Sequence, residues 1–152
     1  MKLTQTRFST IEFEKEDVLT FTDGIIGFTD CRQFVLVNSK PESPFRWLQS
    51  IEEPSLAFLV VDPSVYVEDY APDMPATTAD ELGLDQDTPR MVYATVAIPA
   101  GKPEAMTLNL AAPIIINAVT NVAAQVVVED AAYTMKHRVF QEANRVSQNA
   151  AA

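Results

Sequence analysis

The chain has 152 residues, the usual length of one compact domain, and its 47% hydrophobic and 21% charged residues exclude disorder over most of its length. Its 21 acidic and 11 basic residues give a net charge of -10, which repels phosphate backbones and disfavours direct binding of nucleic acid. A basic protein is a more natural partner for this chain than nucleic acid is. Cys31 is the single cysteine, so an intramolecular disulfide is excluded, and we expect a reducing cytoplasm.

The first forty residues predict short strands joined by turns. Residues 3–8 alternate polar and apolar side chains, which indicates a strand instead of a secretory signal. Further strands are predicted over residues 11–13, 18–21 and 34–37. Gly24 and Gly27 bracket two isoleucines, and a segment this short and apolar predicts a tight turn instead of a phosphate-binding loop.

The apolar mass of the chain is concentrated in residues 45–61, which include the only tryptophan, Trp47. Residues 56–61 are six consecutive apolar residues between prolines. The short length of this run and the prolines on either side of it favour a strand covered on both faces. Residues 52–55 form a polar turn between this strand and residues 45–50. Together they predict a hairpin with a platform of Trp and Phe side chains, which residues 64–67 extend.

An acidic segment follows the hairpin. Between Trp47 and Pro89 there are ten acidic residues and no Lys or Arg. Within it, Thr78 and Glu81 have the spacing of a capping box, which predicts a short helix through Leu82 that ends at Gly83.

The second half of the chain predicts more strands, over residues 91–98, 106–110, 114–116 and 122–128. Residues 105–128 carry no charge, but their Asn, Gln and Pro residues are costly in lipid and exclude a membrane span. The segment from Tyr133 is predicted to begin as a helix. Short strands separated by Pro and Gly turns indicate a mainly all-β fold, an antiparallel barrel or sandwich with one or two short helices. We expect one domain over residues 1–142 and a flexible tail over residues 143–152.

The sequence offers little for catalysis. His137, the single histidine, lies between Lys136 and Arg138 near the C-terminus, a poor setting for a nucleophile–base pair. Neighbouring carboxylates point to opposite faces of a strand, so they make poor acid–base pairs. We therefore predict no catalytic residue, no cofactor and no metal site. Among the aromatic residues, Phe45 and Tyr70 are flanked by prolines and charges and are predicted to lie toward the surface.

Several blocks of residues have the order and spacing of a known family. They are Phe21-x-x-Gly24-Ile25-x-Gly27-Phe28, Phe34, Pro44-Phe45-x-Trp47-Leu48-Gln49-Ser50, Leu56-Ala57-Phe58, Asp62-Pro63, Asp69-Tyr70, Asn109-Leu110-x-Ala112-Pro113, Ile116-Asn117, Gln125, and Tyr133 with His137-Arg138. Over about residues 3–138 the chain resembles the FliW family of bacterial flagellar assembly factors. It departs from the family at Ile26, where a proline is frequent, and this departure affects only the turn.

The resemblance implies a small antiparallel β-barrel-like domain that is cytoplasmic and is not an enzyme. Proteins of this family bind flagellin, in a chaperone-like role, and the RNA-binding translational regulator CsrA. Export of flagellin frees the factor to bind the regulator, which relieves repression of flagellin translation. From the charge and the rejected membrane span, we expect no direct contact with nucleic acid and no contact with a membrane. The alternative is a β-barrel module that binds a ligand or protein in an unrelated role.

Two surfaces are candidates for these partners. We expect Glu68, Asp69 and Asp73, with Tyr70, to face the regulator, because negative charge beside an RNA site weakens RNA binding. Phe45 is a further candidate. For flagellin we expect an apolar patch or an open strand edge. The interrupted strand marked by Asn109, Pro113 and Asn117 is a candidate for that edge. Alternatively, both Asn side chains bond the backbone at turns.

Two other classes of function are less favoured. An enzyme with paired carboxylates would need a catalytic constellation that the sequence does not show. A nucleic-acid-binding barrel would need a basic aromatic groove, which the long span without Lys or Arg disfavours.

Overall fold

A computed structural model describes residues 1–38 and 40–140. The predicted tail, residues 143–152, lies outside the described residues. The strands are β1 Lys2–Thr6, β2 Ser9–Glu12, β3 Leu19–Phe21, β4 Gln33–Val37, β5 Phe45–Ser50, β6 Ala57–Val61, β7 Arg90–Ala97, β8 Thr107–Leu108, β9 Ile114–Asn117, β10 Val122–Gln125 and β11 His137–Arg138. The helix α1 is Ala76–Glu81, and 3₁₀ turns occupy Lys15–Asp17, Pro63–Val65 and Pro103–Ala105.

Seven of these strands close into a barrel. Their order is β7, β6, β5, β4, β3, β10 and β9, and β9 pairs again with β7. Closure depends on β7, whose residues from Arg90 to Tyr93 pair with β9 while Ala94 and Thr95 pair with β6. Neighbouring barrel strands are antiparallel except β10 and β3, which are parallel. The predicted mainly antiparallel β fold is confirmed, and the barrel replaces the sandwich alternative.

The barrel interior is filled by large apolar side chains. Phe21 and Phe34 are fully buried and meet edge to face, with ring centroids 5.2 Å apart. Leu48 of β5 packs with them, whereas Trp47 points to the opposite side of the strand. There the Arg7 guanidinium lies 3.8 Å from the Trp47 ring centroid. The tryptophan thus attaches the β1–β2 hairpin to the outside of the barrel.

The three consecutive isoleucines of β9 reflect burial on both faces of that strand. Ile114 and Ile116 point into the barrel core. Ile115 points outward and packs against Leu82 and Leu84, which follow α1. A strand that is covered on both faces has consecutive apolar residues in its sequence instead of alternating ones.

In several places the local structure differs from the prediction. Residues 64–67 do not extend the sheet, because the Asp62 side chain accepts a hydrogen bond from the Ser64 backbone (2.9 Å) and starts a 3₁₀ turn. The helix α1 begins after Pro75, so Thr78 lies inside it and the capping-box prediction is wrong. The predicted stop at Gly83 (φ 67°) is confirmed.

Further differences lie toward the C-terminal end of the described chain, where the strand predicted over residues 106–110 is only Thr107–Leu108. Residues 133–140 contain no helix, and β11 instead pairs with the free edge of β8. The strand predicted over residues 122–128 is regular only to Gln125. Beyond it, the backbone N–H groups of Val126 and Val128 still donate to Pro113 and Ala111 carbonyls (2.9 and 2.8 Å).

The predicted tight apolar turn at Gly24 is confirmed. The backbone groups of Ile25 and Phe28 bond each other in both directions, at 3.4 and 2.6 Å. Gly24 has φ 69°, and a Cβ there would lie 2.7 Å from the Thr29 Cα and 2.8 Å from the Phe28 carbonyl oxygen. Glycine is required at this position both by its backbone conformation and by the space available.

Substitution of Gly24 by Ala is therefore expected to lower the free energy of unfolding by about 3 kcal/mol. This is the sum of the strain of alanine in a left-handed backbone conformation and the overlap of its Cβ with neighbouring backbone atoms. Gly101→Ala is the matched control, because Gly101 has φ 72° but no atom within 4 Å of the added Cβ. It should cost only about 1–2 kcal/mol, from strain alone. Urea unfolding followed by Trp47 fluorescence measures both. Equal losses in the two variants would contradict this account.

Candidate protein-binding surfaces

The acidic segment after β6 is held against the barrel by Tyr70. The Tyr70 ring packs with Val61 and Leu110 in a second apolar cluster, and its hydroxyl donates to the Leu110 carbonyl oxygen at 2.7 Å. Tyr70 is thus half-buried, and the prediction that it lies toward the surface is only partly correct. Its position makes it an anchor for residues 68–73.

Tyr133 forms the other half of this anchor. Its ring centroid lies 4.6 Å from that of Tyr70, with the rings edge to face. The Tyr133 hydroxyl accepts a hydrogen bond from the Ala71 backbone N–H at 3.1 Å. Burial, and then the neighbouring Tyr133, raise the pKa of Tyr70, so its phenol remains the neutral donor at physiological pH. The two tyrosines tie residues 68–73 to residues 129–134.

This anchoring creates an acidic surface that includes residues from both segments. Glu68, Asp69 and Asp73 are exposed, as predicted. Asp73 also lines a cavity of about 660 Å³ together with Glu129 and Asp130. We call these five residues the acidic face. Sequence reasoning missed Glu129 and Asp130, because only the contact between Tyr70 and Tyr133 shows that they lie beside Asp73.

The acidic face keeps its negative charge. In the part of the chain that the structure describes, one ion pair occurs, between Lys2 and Glu12 at 3.6 Å. The carboxylates of the acidic face are therefore not neutralised by a described Lys or Arg. The described residues contain no group of three or more His, Cys, Asp or Glu arranged to hold a metal ion. None of the described helices has the length and hydropathy that crossing a membrane requires.

Phe45 lies beneath this region and is only partly accessible. Its ring centroid is 6.3 Å from that of Tyr66, which in turn is 6.3 Å from Phe140. Phe45 is half-buried and packs against the same apolar cluster as Tyr70. It therefore supports the acidic segment from below, in addition to the limited surface it presents.

The side chains of Asn109 and Asn117 form hydrogen bonds with the backbone, as the alternative to a flagellin-binding edge predicts. The Asn109 Oδ1 accepts hydrogen bonds from the backbone N–H groups of Ala111 and Ala112, at 3.1 and 3.0 Å. Asn117 is 2% exposed, and its Nδ2 donates to the Leu82 carbonyl oxygen at 2.8 Å. Pro113 is buried. Because β9 pairs with β10 and β7, this region has no open strand edge, and that part of the prediction is wrong.

An apolar surface lies at the barrel end that carries the Gly24 turn. Ile26 and Phe28 are 59% and 42% exposed, and the Phe28 ring lies 5.3 Å from Phe58. Phe58 also lines a groove of about 290 Å³ with Ile98, which is 46% exposed. We call Ile26, Phe28, Phe58 and Ile98 the apolar strip.

Gln125 fixes the Ile26 end of the apolar strip. Its Oε1 accepts a hydrogen bond from the Ile26 backbone N–H at 3.0 Å, and its Nε2 donates to the Ala112 carbonyl oxygen at 3.1 Å. The paired glycines around two isoleucines were the sequence signal for this surface, although they predict the turn and not its exposure.

Comparison with known proteins agrees with this architecture. The family described as FliW protein matches residues 2–139. The chain is 37% identical to the flagellar assembly factor FliW of Caldanaerobacter subterraneus subsp. tengcongensis, over 93% of this chain and 95% of that protein. It is 38% identical to the flagellar assembly factor FliW of Moorella thermoacetica, over 93% and 90% of the two chains. A crystal structure of the flagellar assembly factor FliW matches with a TM-score of 0.85 and 31% identity, over 93% of this chain and 99% of that chain.

These matches place the chain among flagellar assembly factors built on a closed β-barrel. The chain belongs to the FliW family, in agreement with the motifs that indicated this resemblance.

Removal of the Tyr70 hydroxyl tests the anchor. Tyr70→Phe should lower the free energy of unfolding by about 1 kcal/mol at pH 7, the usual worth of one hydrogen bond. The pKa of Tyr70 in the folded state is raised above its ordinary value of 10.0. At any pH below 10, the phenol is therefore neutral and its hydrogen bond contributes its full stabilisation to the fold. This contribution is lost as the pH rises further.

The difference between the wild type and Tyr70→Phe should therefore shrink above about pH 10 in urea unfolding experiments. Tyr93→Phe is the control, because the one hydrogen bond of the Tyr93 hydroxyl within the described residues is a long one to the Met91 Sδ at 4.0 Å. It should change stability by less than about 0.5 kcal/mol. A Tyr70→Phe protein as stable as the wild type at pH 7 would show that the hydroxyl is not an anchor.

Proposed function

We propose that this chain is a non-enzymatic cytoplasmic factor that binds two partners, flagellin and the RNA-binding translational regulator CsrA, and that bound flagellin excludes the regulator although the two dock on different surfaces. The observation that carries the proposal is the acidic face. Its carboxylates form no ion pair within the described residues, and it is fixed to the barrel by Tyr70 and Tyr133. Membership of the FliW family, whose relatives are flagellar assembly factors, supports the same role.

In this proposal the acidic face binds near the RNA site of the regulator. A regulator that binds RNA presents positive charge, which the acidic face complements. Once docked, the carboxylates repel the RNA phosphates over about 8 Å at physiological salt, so the factor need not cover the RNA site. Binding therefore releases mRNA by electrostatic repulsion and relieves the repression of flagellin translation.

Flagellin docks on the apolar strip in the same proposal. Unassembled flagellin exposes apolar segments that are buried only after assembly, and an exposed apolar surface with a groove is suited to hold them. Ile26, Phe28 and Ile98 offer such a surface at the end of the barrel. While flagellin is abundant it occupies the factor. After its export, the freed factor binds the regulator.

Charge reversal on the acidic face tests the regulator half of the proposal. The triple variant Glu68→Lys, Asp69→Lys, Asp73→Lys should slow association with purified CsrA by about tenfold or more, because steering across the interface is lost. The rate should also depend less on salt. Stopped-flow mixing over a range of salt concentrations measures both effects.

The control is a triple variant with the same change in net charge at exposed residues outside the acidic face, namely Asp30→Lys, Glu42→Lys and Glu104→Lys. It should retain most of the wild-type rate. If the two triple variants associate at the same rate, the acidic face has no specific role and only the total charge matters.

A further inference from the structure

A separate cleft opens at the barrel end where β3, β7 and β10 begin and β4 ends. The ladder between β3 and β4 contains two pairs, Leu19 with Phe34 and Thr20 with Gln33, so β4 continues past the start of β3. The end of the β1–β2 hairpin and the turn Lys15–Asp17 stand beside this opening, and the cavity between them measures about 540 Å³. This volume is typical of ligand-binding clefts. We call it the mouth cleft.

The mouth cleft has an apolar interior and an acidic rim. Its apolar lining residues are Ile11, Phe13, Leu19, Val35, Leu36, Val37 and Met91. Glu12, Glu16 and Asp17 are exposed at its rim, and none of its described lining residues is a Lys, Arg or His. Lys2 pairs with Glu12, but both side chains are at least 70% exposed, so this pair neutralises the rim only weakly.

Hydrogen bonds fix the acidic rim of the mouth cleft, but they do not involve the carboxylate of Glu16. The Asp17 Oδ2 accepts a hydrogen bond from the Glu14 backbone N–H at 2.8 Å, and the Asn121 Nδ2 donates to the Glu16 carbonyl oxygen at 2.7 Å. These bonds fix the turn. Within the described part of the chain, the Glu16 carboxylate makes no ion pair and no hydrogen bond. It is therefore positioned to meet a cation on a ligand.

We infer that the mouth cleft binds a peptide segment in which apolar side chains alternate with Lys or Arg. An apolar group fills the interior, and the flanking cations meet the acidic rim. Phosphate-bearing ligands are repelled by the rim, and so is a second copy of this chain, which carries a net charge of -10. The inference does not rest on the proposed function, because the mouth cleft shares no lining residue with the acidic face.

Methionine methyl NMR on the full chain tests this inference. The probe is the peptide acetyl-Lys-Leu-Lys-Leu-Lys-amide, titrated into protein labelled with ¹³C at the methionine methyl groups. Met91 lines the mouth cleft and also a cavity beside Tyr70, Met74 lines the cavity of the acidic face, and Met106 is a buried reference. A shift of Met91 is therefore assigned to the mouth cleft by the Glu16→Lys variant. We expect a saturable shift of the Met91 methyl with Met74 and Met106 unchanged, and binding about fivefold weaker at 0.5 M than at 0.05 M salt.

The Glu16→Lys variant should weaken binding about fivefold, because an attraction at the rim becomes a repulsion. Glu104→Lys is the matched control, an exposed glutamate outside the cleft, and should bind as the wild type does. The inference is overturned by shifts at Met74 without Met91, by equal binding of acetyl-Glu-Leu-Glu-Leu-Glu-amide, or by no saturable shift. It is also overturned if Glu16→Lys and Glu104→Lys bind the probe equally.

Discussion

The structure depends on the way β7 divides its pairing between two strands. Its first four residues pair with β9 and the next two with β6, so the sheet closes on itself. Closure removes the exposed edges that β6 and β9 would otherwise present. It also makes the barrel a rigid support, on which the hairpin β1–β2, the helix α1 and the acidic segment are fixed from outside. The surfaces that matter for binding therefore lie on these additions and at the barrel ends.

The additions are attached by a few specific contacts. Trp47 holds Arg7 of the hairpin, Ile115 packs against Leu82 after the helix, and Tyr70 bonds the Leu110 carbonyl oxygen beside the acidic segment. The tyrosine contact has the clearest functional consequence. It fixes carboxylates at the surface without neutralising them, so their mutual repulsion is opposed by burial of the two tyrosine rings. Such an arrangement preserves charge for a partner at some cost in stability.

The sequence predicted most of the barrel because strand signals are local. Alternating residues and apolar runs between prolines located β4 to β7 within a few residues. The errors arose where a tertiary contact decided the outcome. The helix α1 begins after Pro75, before the cap predicted at Thr78, and Ala79 and Leu82 pack in the cluster of Ile115. The segment after Tyr133 is a strand because the edge of β8 was free to pair.

The candidate surfaces were less predictable than the fold. The exposed acids at residues 68–73 follow from composition, since a run without Lys or Arg has no internal partner. Glu129 and Asp130 join them only through the contact between Tyr70 and Tyr133. The motif residues Gln49 and Asn117 proved to be buried and bonded to backbone carbonyl oxygens, at 2.9 and 2.8 Å. A motif identifies a family through such structural residues as readily as through its contact residues.

The central claim is that one barrel exchanges two partners, and competition calorimetry with purified flagellin and CsrA tests it most directly. The account predicts that each partner binds alone, and that protein saturated with flagellin binds the regulator much more weakly. Binding of neither partner, or binding of both without any effect on each other, would contradict the account.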